Sequence, residues 1–286
     1  MITGGKILID LNNYHANYVA VNNGRLYYEI AGNGDPLVFV PASILDRRIW
    51  DDQFHYFSQT HTVLRYDMRG FGKSETLPGT YAYHEDLYKL LQALQFKSSV
   101  VIGVSSGGAV ALEFTLEHSE MVRGLVLTSS ALGGNPSRTS VTAAKASAKF
   151  FQKGDLSQTL ESILRLRVDG PTRSADAINP RVREKIRSIL SENLTSKSTQ
   201  YTVPQLLNPP AVTRLHELSL PTCVIVGDQD IEDVKTSSSI ITEKTANAEN
   251  YLLEGLGHML HMEQPAYYNQ LLLHFLQSIG INGHSL

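Results

Sequence analysis

Near residue 105 lies the stretch Val100-Val101-Ile102-Gly103-Val104-Ser105-Ser106-Gly107-Gly108-Ala109-Val110-Ala111-Leu112. Its apolar start predicts a strand, its glycines and serines a tight turn, and its apolar end a helix. Residues 103–107 form a G-x-S-x-G pattern centred on Ser105. A serine hydroxyl acts as a nucleophile when a sharp turn exposes it beside a base, and such a turn needs tiny residues two positions before and after. Ser105 meets this requirement, whereas Ser106 does not because Val104 precedes it by two.

The alternative for this pattern is a glycine-rich connection without chemistry. The strand before it and the helix after it disfavour that alternative, because a nucleophile turn of this type joins a strand to a helix. We therefore predict that Ser105 is a nucleophile.

Short apolar runs without alternation recur on both sides of the turn. They lie at residues 37–40, 62–66, 100–102, 125–127 and 223–226. Runs of this kind are typical of strands covered on both faces, as in a parallel sheet. Helical patterns lie between or after them, at residues 83–96, at residues 109–118 and from Pro265 onward. The sequence therefore predicts an α/β fold with a mostly parallel central sheet and helices on both faces, preceded by a hairpin over residues 18–30.

Residues 133–214 interrupt this alternation. They contain three helical patterns, at residues 143–151, 156–167 and 181–194, and no convincing strand. We predict a helical lid over residues 133–214, inserted in a core formed by residues 1–132 and 215–286. Uncharged segments such as Ala143-Ala144 and Leu206-Leu207 either line a pocket or pack against the core. The basic residues from Arg181 to Arg187 predict the solvated side of an amphipathic helix.

Composition narrows the classes of function. The 286 residues are 42% hydrophobic and 19% charged, as in an ordinary globular protein. A net charge of −3 provides no general attraction to nucleic acid or to an anionic membrane. No stretch approaches the roughly 20 apolar residues of a membrane span, and no signal peptide is evident, so a cytoplasmic location is expected. The single cysteine, Cys223, is predicted to be a small buried residue of a strand.

Six segments of the sequence resemble the α/β-hydrolase superfamily. They are residues 34–40, residues 46–51, residues 65–74 (Arg-Tyr-Asp-Met-Arg-Gly-Phe-Gly-Lys-Ser), the turn around Ser105, Val226-Gly227-Asp228-Gln229-Asp230, and Gly255-Leu256-Gly257-His258-Met259. The resemblance extends from about Tyr18 to Gln277. It is strongest to the lid-bearing branch of serine esterases, enol-lactonases and cofactor-free perhydrolases. It implies the α/β-hydrolase fold and a nucleophile, an acid and a histidine in that chain order.

The resemblance implies that Ser105, Asp230 and His258 form a catalytic triad. The acid of the family follows a strand in a G-x-x-D pattern, which Asp230 fits, and Asp228 is its competitor. His258 stands in the final loop between a glycine and a helical run, while His261 would fall on the helix start. A metal site built from His258 and His261 would need a third ligand that nothing in the sequence indicates. We expect neither a metal nor a cofactor.

The resemblance also implies an oxyanion hole, whose first N–H donor is Ser106, the residue after the nucleophile. The second donor comes from the loop after residues 37–40, where this chain departs from the family. Relatives usually carry His-Gly there, whereas this chain has Pro41-Ala42-Ser43. Because proline has no N–H, the register makes the Ser43 N–H the second donor, with the Ser43 hydroxyl as a further candidate. An alanine in place of glycine predicts a turn that avoids a positive φ or tolerates about 1 kcal/mol of strain.

These residues predict a serine hydrolase that cleaves a small carboxylic ester or lactone through an acyl-enzyme. His258 would move the proton between Ser105 and the leaving alcohol, and Asp230 would orient the imidazole. The partner would be a small molecule, without nucleic acid or membrane. Three alternatives use the same residues: a slow-turnover ligand receptor, a perhydrolase or haloperoxidase that uses peroxide, and a C–C bond hydrolase. The last resembles a different pattern, with an aromatic residue in place of Met259.

Overall fold

The computed structural model describes residues 14–22, 24–135, 138–196 and 204–283. Nine strands within these residues form one sheet. They are β1 His15–Val21, β2 Gly24–Ala31, β3 Pro36–Val40, β4 Thr62–Tyr66, β5 Glu75–Thr76, β6 Ser99–Val104, β7 Val122–Thr128, β8 Thr222–Gly227 and β9 Ala248–Leu253. The order across the sheet is β1-β2-β4-β3-β6-β7-β8-β9, and β5 pairs with β2. The pairs β1–β2, β2–β4 and β2–β5 are antiparallel, whereas every pair from β4–β3 to β8–β9 is parallel.

The central strands are buried on both faces because each contributes alternate side chains to two separate clusters. Leu37 and Phe39 of β3 belong to one hydrophobic cluster, and Val38 and Val40 belong to the other. This period of two explains why the strand segments read as continuous apolar runs. The predicted mostly parallel sheet is therefore confirmed, and Cys223 lies fully buried in β8 as predicted.

The described helices are α1 Asp51–Phe57, α2 Tyr83–Ala93, α3 Ser106–Glu117, α4 Arg138–Gln152, α5 Leu156–Leu164, α6 Pro180–Thr195, α7 Glu232–Lys244, α8 Leu260–Glu263 and α9 Pro265–Ser278. The side chains of α2 and α3 pack in the cluster that holds Val38, and those of α9 pack in the cluster that holds Phe39. Helices thus cover both faces of the sheet. No helix in the described part of the chain has the length and apolar character needed to cross a membrane.

Helices α4, α5 and α6 lie between β7 and β8, and we refer to residues 138–196 as the helical insertion. The prediction for its basic stretch was incomplete. Val182 and Ile186 are buried, as an amphipathic helix requires, but the cations between them are not merely solvated. Arg183 pairs with Glu161 at 2.7 Å, and Lys185 pairs with Asp51 of α1 at 2.8 Å. These ion pairs connect α6 to α5 and to the core.

Candidate active site

Ser105 lies at the turn between β6 and α3, in a conformation that non-glycine residues rarely adopt. Its φ and ψ are 57° and −121°, and such a backbone costs about 1–3 kcal/mol. The surrounding glycines leave no room for side chains. A Cβ on Gly103 would lie 2.3 Å from the carbonyl oxygen of Gly107, and one on Gly107 would lie 2.3 Å from that of Pro41. The G-x-S-x-G spacing is thus a steric requirement of this turn.

His258 and Asp230 meet at the carboxyl ends of β8 and β9. Nδ1 of His258 lies 2.8 Å and 3.1 Å from the two carboxylate oxygens of Asp230, and both side chains are buried. Because a carboxylate can only accept, Nδ1 carries the proton and the lone pair of Nε2 remains available to accept one. The carboxylate of Asp228 instead accepts the Gly255 N–H at 2.8 Å and holds the loop after β9. Of the two candidate acids, the structure brings Asp230 to the histidine.

His261 is a packing residue of the core. Its ring is fully buried, with its centroid 4.3 Å from that of Trp50. Burial, together with the nearby His258, lowers the pKa of His261 to about 3, so this ring is neutral at physiological pH. The part of the chain that the structure describes contains no group of three or more potential ligands that could hold a metal ion. No hydrogen bond among the described residues joins the His261 ring to Ser105, Asp230 or His258.

The loop after β3 differs from the sequence prediction in its hydrogen bonds. The Ser43 N–H, predicted as an oxyanion donor, donates to Ser106 Oγ at 2.7 Å, and Ser106 Oγ in turn donates to Ser43 Oγ at 2.9 Å. The Ser43 hydroxyl keeps its own hydrogen for a further acceptor. Ala42 avoids a positive φ, as predicted, but Ile44 adopts a φ of 61° instead. The strained backbone conformation of the turn is at Ile44, a β-branched residue two positions after Ala42.

Arg167 also reaches this site, and sequence reasoning missed it. Its Nη1 lies 3.4 Å from Nε2 of His258. The sequence predicted one helix over residues 156–167, but α5 ends at Leu164 and continues as one π-helical turn, Arg165–Asp169. The extra residue in this turn changes the direction of the side chains that follow. The separator Asp169-Gly170-Pro171 could have indicated an altered helix end, although not its direction.

Two neighbouring cavities lie at the helical insertion, the first between it and the core and the second almost entirely within it. The first, of about 260 Å³, is lined by Ser43, Ser105 and Ser106 from the core and by Ile163, Arg167 and Leu190 from the insertion. The second, of about 290 Å³, shares Ile44, Ile163 and Arg167 with the first. Ala143-Ala144 lines this second cavity, whereas Leu206 is exposed and Leu207 packs in the core.

The family model described as alpha/beta hydrolase fold matches residues 35–265, and the chain therefore belongs to the α/β-hydrolase family. This confirms the predicted superfamily. The chain is 24% identical to 3-oxoadipate enol-lactonase 2 of Acinetobacter baylyi over 249 residues, which cover 85% of this chain and 90% of the relative.

Solved structures extend the likeness in fold. A thermophilic esterase from Thermogutta terrifontis has a TM-score of 0.74 at 22% identity, covering 93% of this chain and 99% of its own. A bromoperoxidase from Bacillus anthracis has a TM-score of 0.74 at 21% identity, covering 92% of this chain and 100% of its own. At these identities the likeness shows the shared α/β-hydrolase fold alone.

Proposed function

We propose that the protein is a serine hydrolase that cleaves a small carboxylic ester or lactone through an acyl-enzyme on Ser105. The observation that carries this proposal is that three groups follow parallel strands at the same edge of the sheet, where His258 contacts Asp230. The strained Ser105 follows β6, Asp230 follows β8, and His258 follows β9. In open α/β sheets this edge is where ligands bind. Ser105 also lines the first cavity, where a substrate can reach it.

The proposed reaction begins when Nε2 of His258 accepts the Ser105 proton as Oγ attacks the substrate carbonyl. Asp230 keeps Nδ1 protonated and stabilises the imidazolium that forms. The C–O bond to the alcohol then breaks, and His258 returns the proton to that alcohol, which in a lactone stays attached to the acyl chain. Water, deprotonated by the same histidine, attacks the acyl-enzyme, releases the acid and restores the Ser105 hydroxyl.

The oxyanion would be received by the Ser106 N–H and by Ser43. Ser106 is the first residue of α3, where backbone N–H groups have no partner within the helix. For Ser43 the hydrogen bonds favour the hydroxyl over the predicted N–H, because that N–H already donates to Ser106 Oγ. The series from Ser43 N–H to Ser106 Oγ to Ser43 Oγ polarises the last hydroxyl and strengthens it as a donor.

Replacing Ser43 by alanine is expected to lower kcat for ester hydrolysis by about 10²-fold, the usual effect of losing one oxyanion donor. Replacing Ser106 by alanine instead removes the hydroxyl oxygen that accepts a hydrogen bond from the Ser43 N–H, and it leaves the Ser43 hydroxyl in place. We expect a smaller loss of kcat in Ser106→Ala than in Ser43→Ala. Steady-state kinetics of the two variants would distinguish the Ser43 hydroxyl from the Ser43 N–H as the donor. Full activity of Ser43→Ala, together with faster turnover by Ser106→Ala, would assign the role to the Ser43 N–H.

We further propose that residues 133–214 form a lid over a core of residues 1–132 and 215–286. The helical insertion supplies Ile163, Ile186 and Leu190 to the wall opposite Ser105. A cavity of about 260 Å³ is slightly smaller than the usual range for ligand pockets, which supports a small substrate. Its walls are mostly apolar, and Arg167 and Asp233 are their charged side chains.

The proposal is tested by following hydrolysis of p-nitrophenyl acetate, p-nitrophenyl butyrate and simple γ- and δ-lactones. We expect many turnovers per molecule of protein without added metal or cofactor. A single burst of about one equivalent of p-nitrophenol followed by arrest would favour the slow-turnover receptor instead. Bromination that depends on added peroxide, with negligible ester or lactone hydrolysis, would favour a perhydrolase.

A further inference from the structure

Arg167 differs from the other arginines around it in its partners. Arg173 pairs with Glu263 at 2.6 Å, and Arg183 pairs with both Glu161 and Asp169. Arg165 lies 3.9 Å from Asp169. Within the described residues no carboxylate forms an ion pair with Arg167, whose one hydrogen-bond contact is Nε2 of His258.

The turn that carries Arg167 is held in place from both sides. Asp169, two residues later, is buried and accepts from Arg183 at 3.0 Å. The Arg173 side chain donates to the carbonyl oxygens of Val168 and Asp169, at 2.8 Å and 2.9 Å. The Gly170 N–H closes the π-helical turn on the Arg165 carbonyl at 3.2 Å. The backbone around Arg167 is therefore fixed by contacts of its neighbours.

Arg167 is also the one cationic side chain among the described residues that line the two cavities. The one carboxylate in these walls, Asp233, accepts the Thr139 N–H at 2.8 Å at the start of α4. Burial lowers the pKa of Arg167, and the nearby Asp230 partly opposes this effect. Arginine nevertheless stays protonated, and a half-buried guanidinium that has no ion pair among the described residues is stabilised by a ligand that supplies a negative charge.

We propose that Arg167 binds a carboxylate of the substrate, so that the ester or lactone cleaved by this protein is itself a carboxylic acid. This inference rests on the proposed function and narrows its substrate class. The planar guanidinium matches a carboxylate in two parallel hydrogen bonds. Because Arg167 Nη1 lies 3.4 Å from the nitrogen that must receive the Ser105 proton, the bound carboxylate lies close to the scissile carbonyl.

The same contact gives the carboxylate a second effect. Arg167 donates toward Nε2 of His258, and the lone pair of this nitrogen is the base that the mechanism needs. A charged acceptor is a stronger partner for a guanidinium than a neutral imidazole. A substrate carboxylate therefore draws the guanidinium away from Nε2 and leaves the base available to Ser105.

The test compares monomethyl succinate with methyl butanoate, two esters of similar size that differ in one carboxylate, by pH-stat titration. We expect the wild type to favour the anionic ester in kcat/KM. In Arg167→Gln the ratio of the two kcat/KM values should fall by about 10- to 100-fold, the range for one charged hydrogen-bonded contact. Arg167→Lys should retain part of this ratio. The matched control is Arg181→Gln, an exposed cation of the same insertion outside both cavities, which should keep the wild-type ratio.

Equal kcat/KM for the two esters in the wild type, or an unchanged ratio in Arg167→Gln, would overturn the inference and leave the proposed hydrolase intact. Calorimetric binding of succinate separates the two proposals if neither ester is cleaved. Succinate binding that is lost in Arg167→Gln and kept in Arg181→Gln would support the carboxylate site without any turnover. Absence of succinate binding to the wild type, or tighter binding of inorganic phosphate at the same site, would refute it.

Discussion

Replacing Ser105 by alanine should reduce kcat for ester or lactone hydrolysis by about 10⁵- to 10⁶-fold, the loss expected when a serine nucleophile is removed. The histidine would then have no hydroxyl to deprotonate, and no acyl-enzyme could form. The backbone conformation should survive, because alanine and serine are similarly strained at a φ of 57°. Steady-state kinetics on p-nitrophenyl butyrate would measure the loss, and thermal unfolding would check that the variant remains folded.

A covalent label strengthens this test. An alkyl p-nitrophenyl phosphonate should add one equivalent to the wild type and none to Ser105→Ala, as measured by intact mass. Ser239→Ala, which removes an exposed hydroxyl of α7, is the matched control and should label like the wild type. Substantial hydrolysis by Ser105→Ala, or labelling at another residue, would show that the nucleophile lies elsewhere.

Replacing Asp230 by asparagine is expected to lower kcat by about 10⁴-fold, because the amide can donate to Nδ1 and so favours the wrong imidazole tautomer. The carboxylate now accepts from Nδ1 at 2.8 Å, which leaves Nε2 unprotonated. The loss should appear in kcat more than in KM, since Asp230 acts through His258 and not on the substrate.

Asp228→Asn is the control for this prediction. Its Oδ1 accepts the Gly255 N–H, and an asparagine oxygen can accept the same hydrogen bond. We expect activity within a few-fold of the wild type, with little change in thermal stability. A nearly inactive Asp228→Asn beside an active Asp230→Asn would transfer the role of the acid to Asp228.

Several features of the fold could be predicted because they depend on neighbours within a few residues. The runs at residues 37–40 and 223–226 are apolar at every position because both faces of their strands are buried. β9 was missed for the opposite reason. It is an edge strand with Glu249, Asn250 and Leu252 exposed, so its sequence carries no comparable apolar run.

The candidate site likewise combines features that depend on local sequence with features that depend on tertiary contacts. The sequence by itself determined the turn at Ser105 through its pattern of small residues, and a Cβ on Gly103 would clash with Gly107 inside the same turn. Only the tertiary structure decided that Asp230 and not Asp228 contacts His258. It also decided that the Ser43 N–H donates to Ser106 Oγ and that Arg167 contacts His258. These contacts join residues 28, 63 and 91 positions apart. Their formation depends on how strands, loops and a π-helical turn are placed in space, which no local spacing of residues encodes.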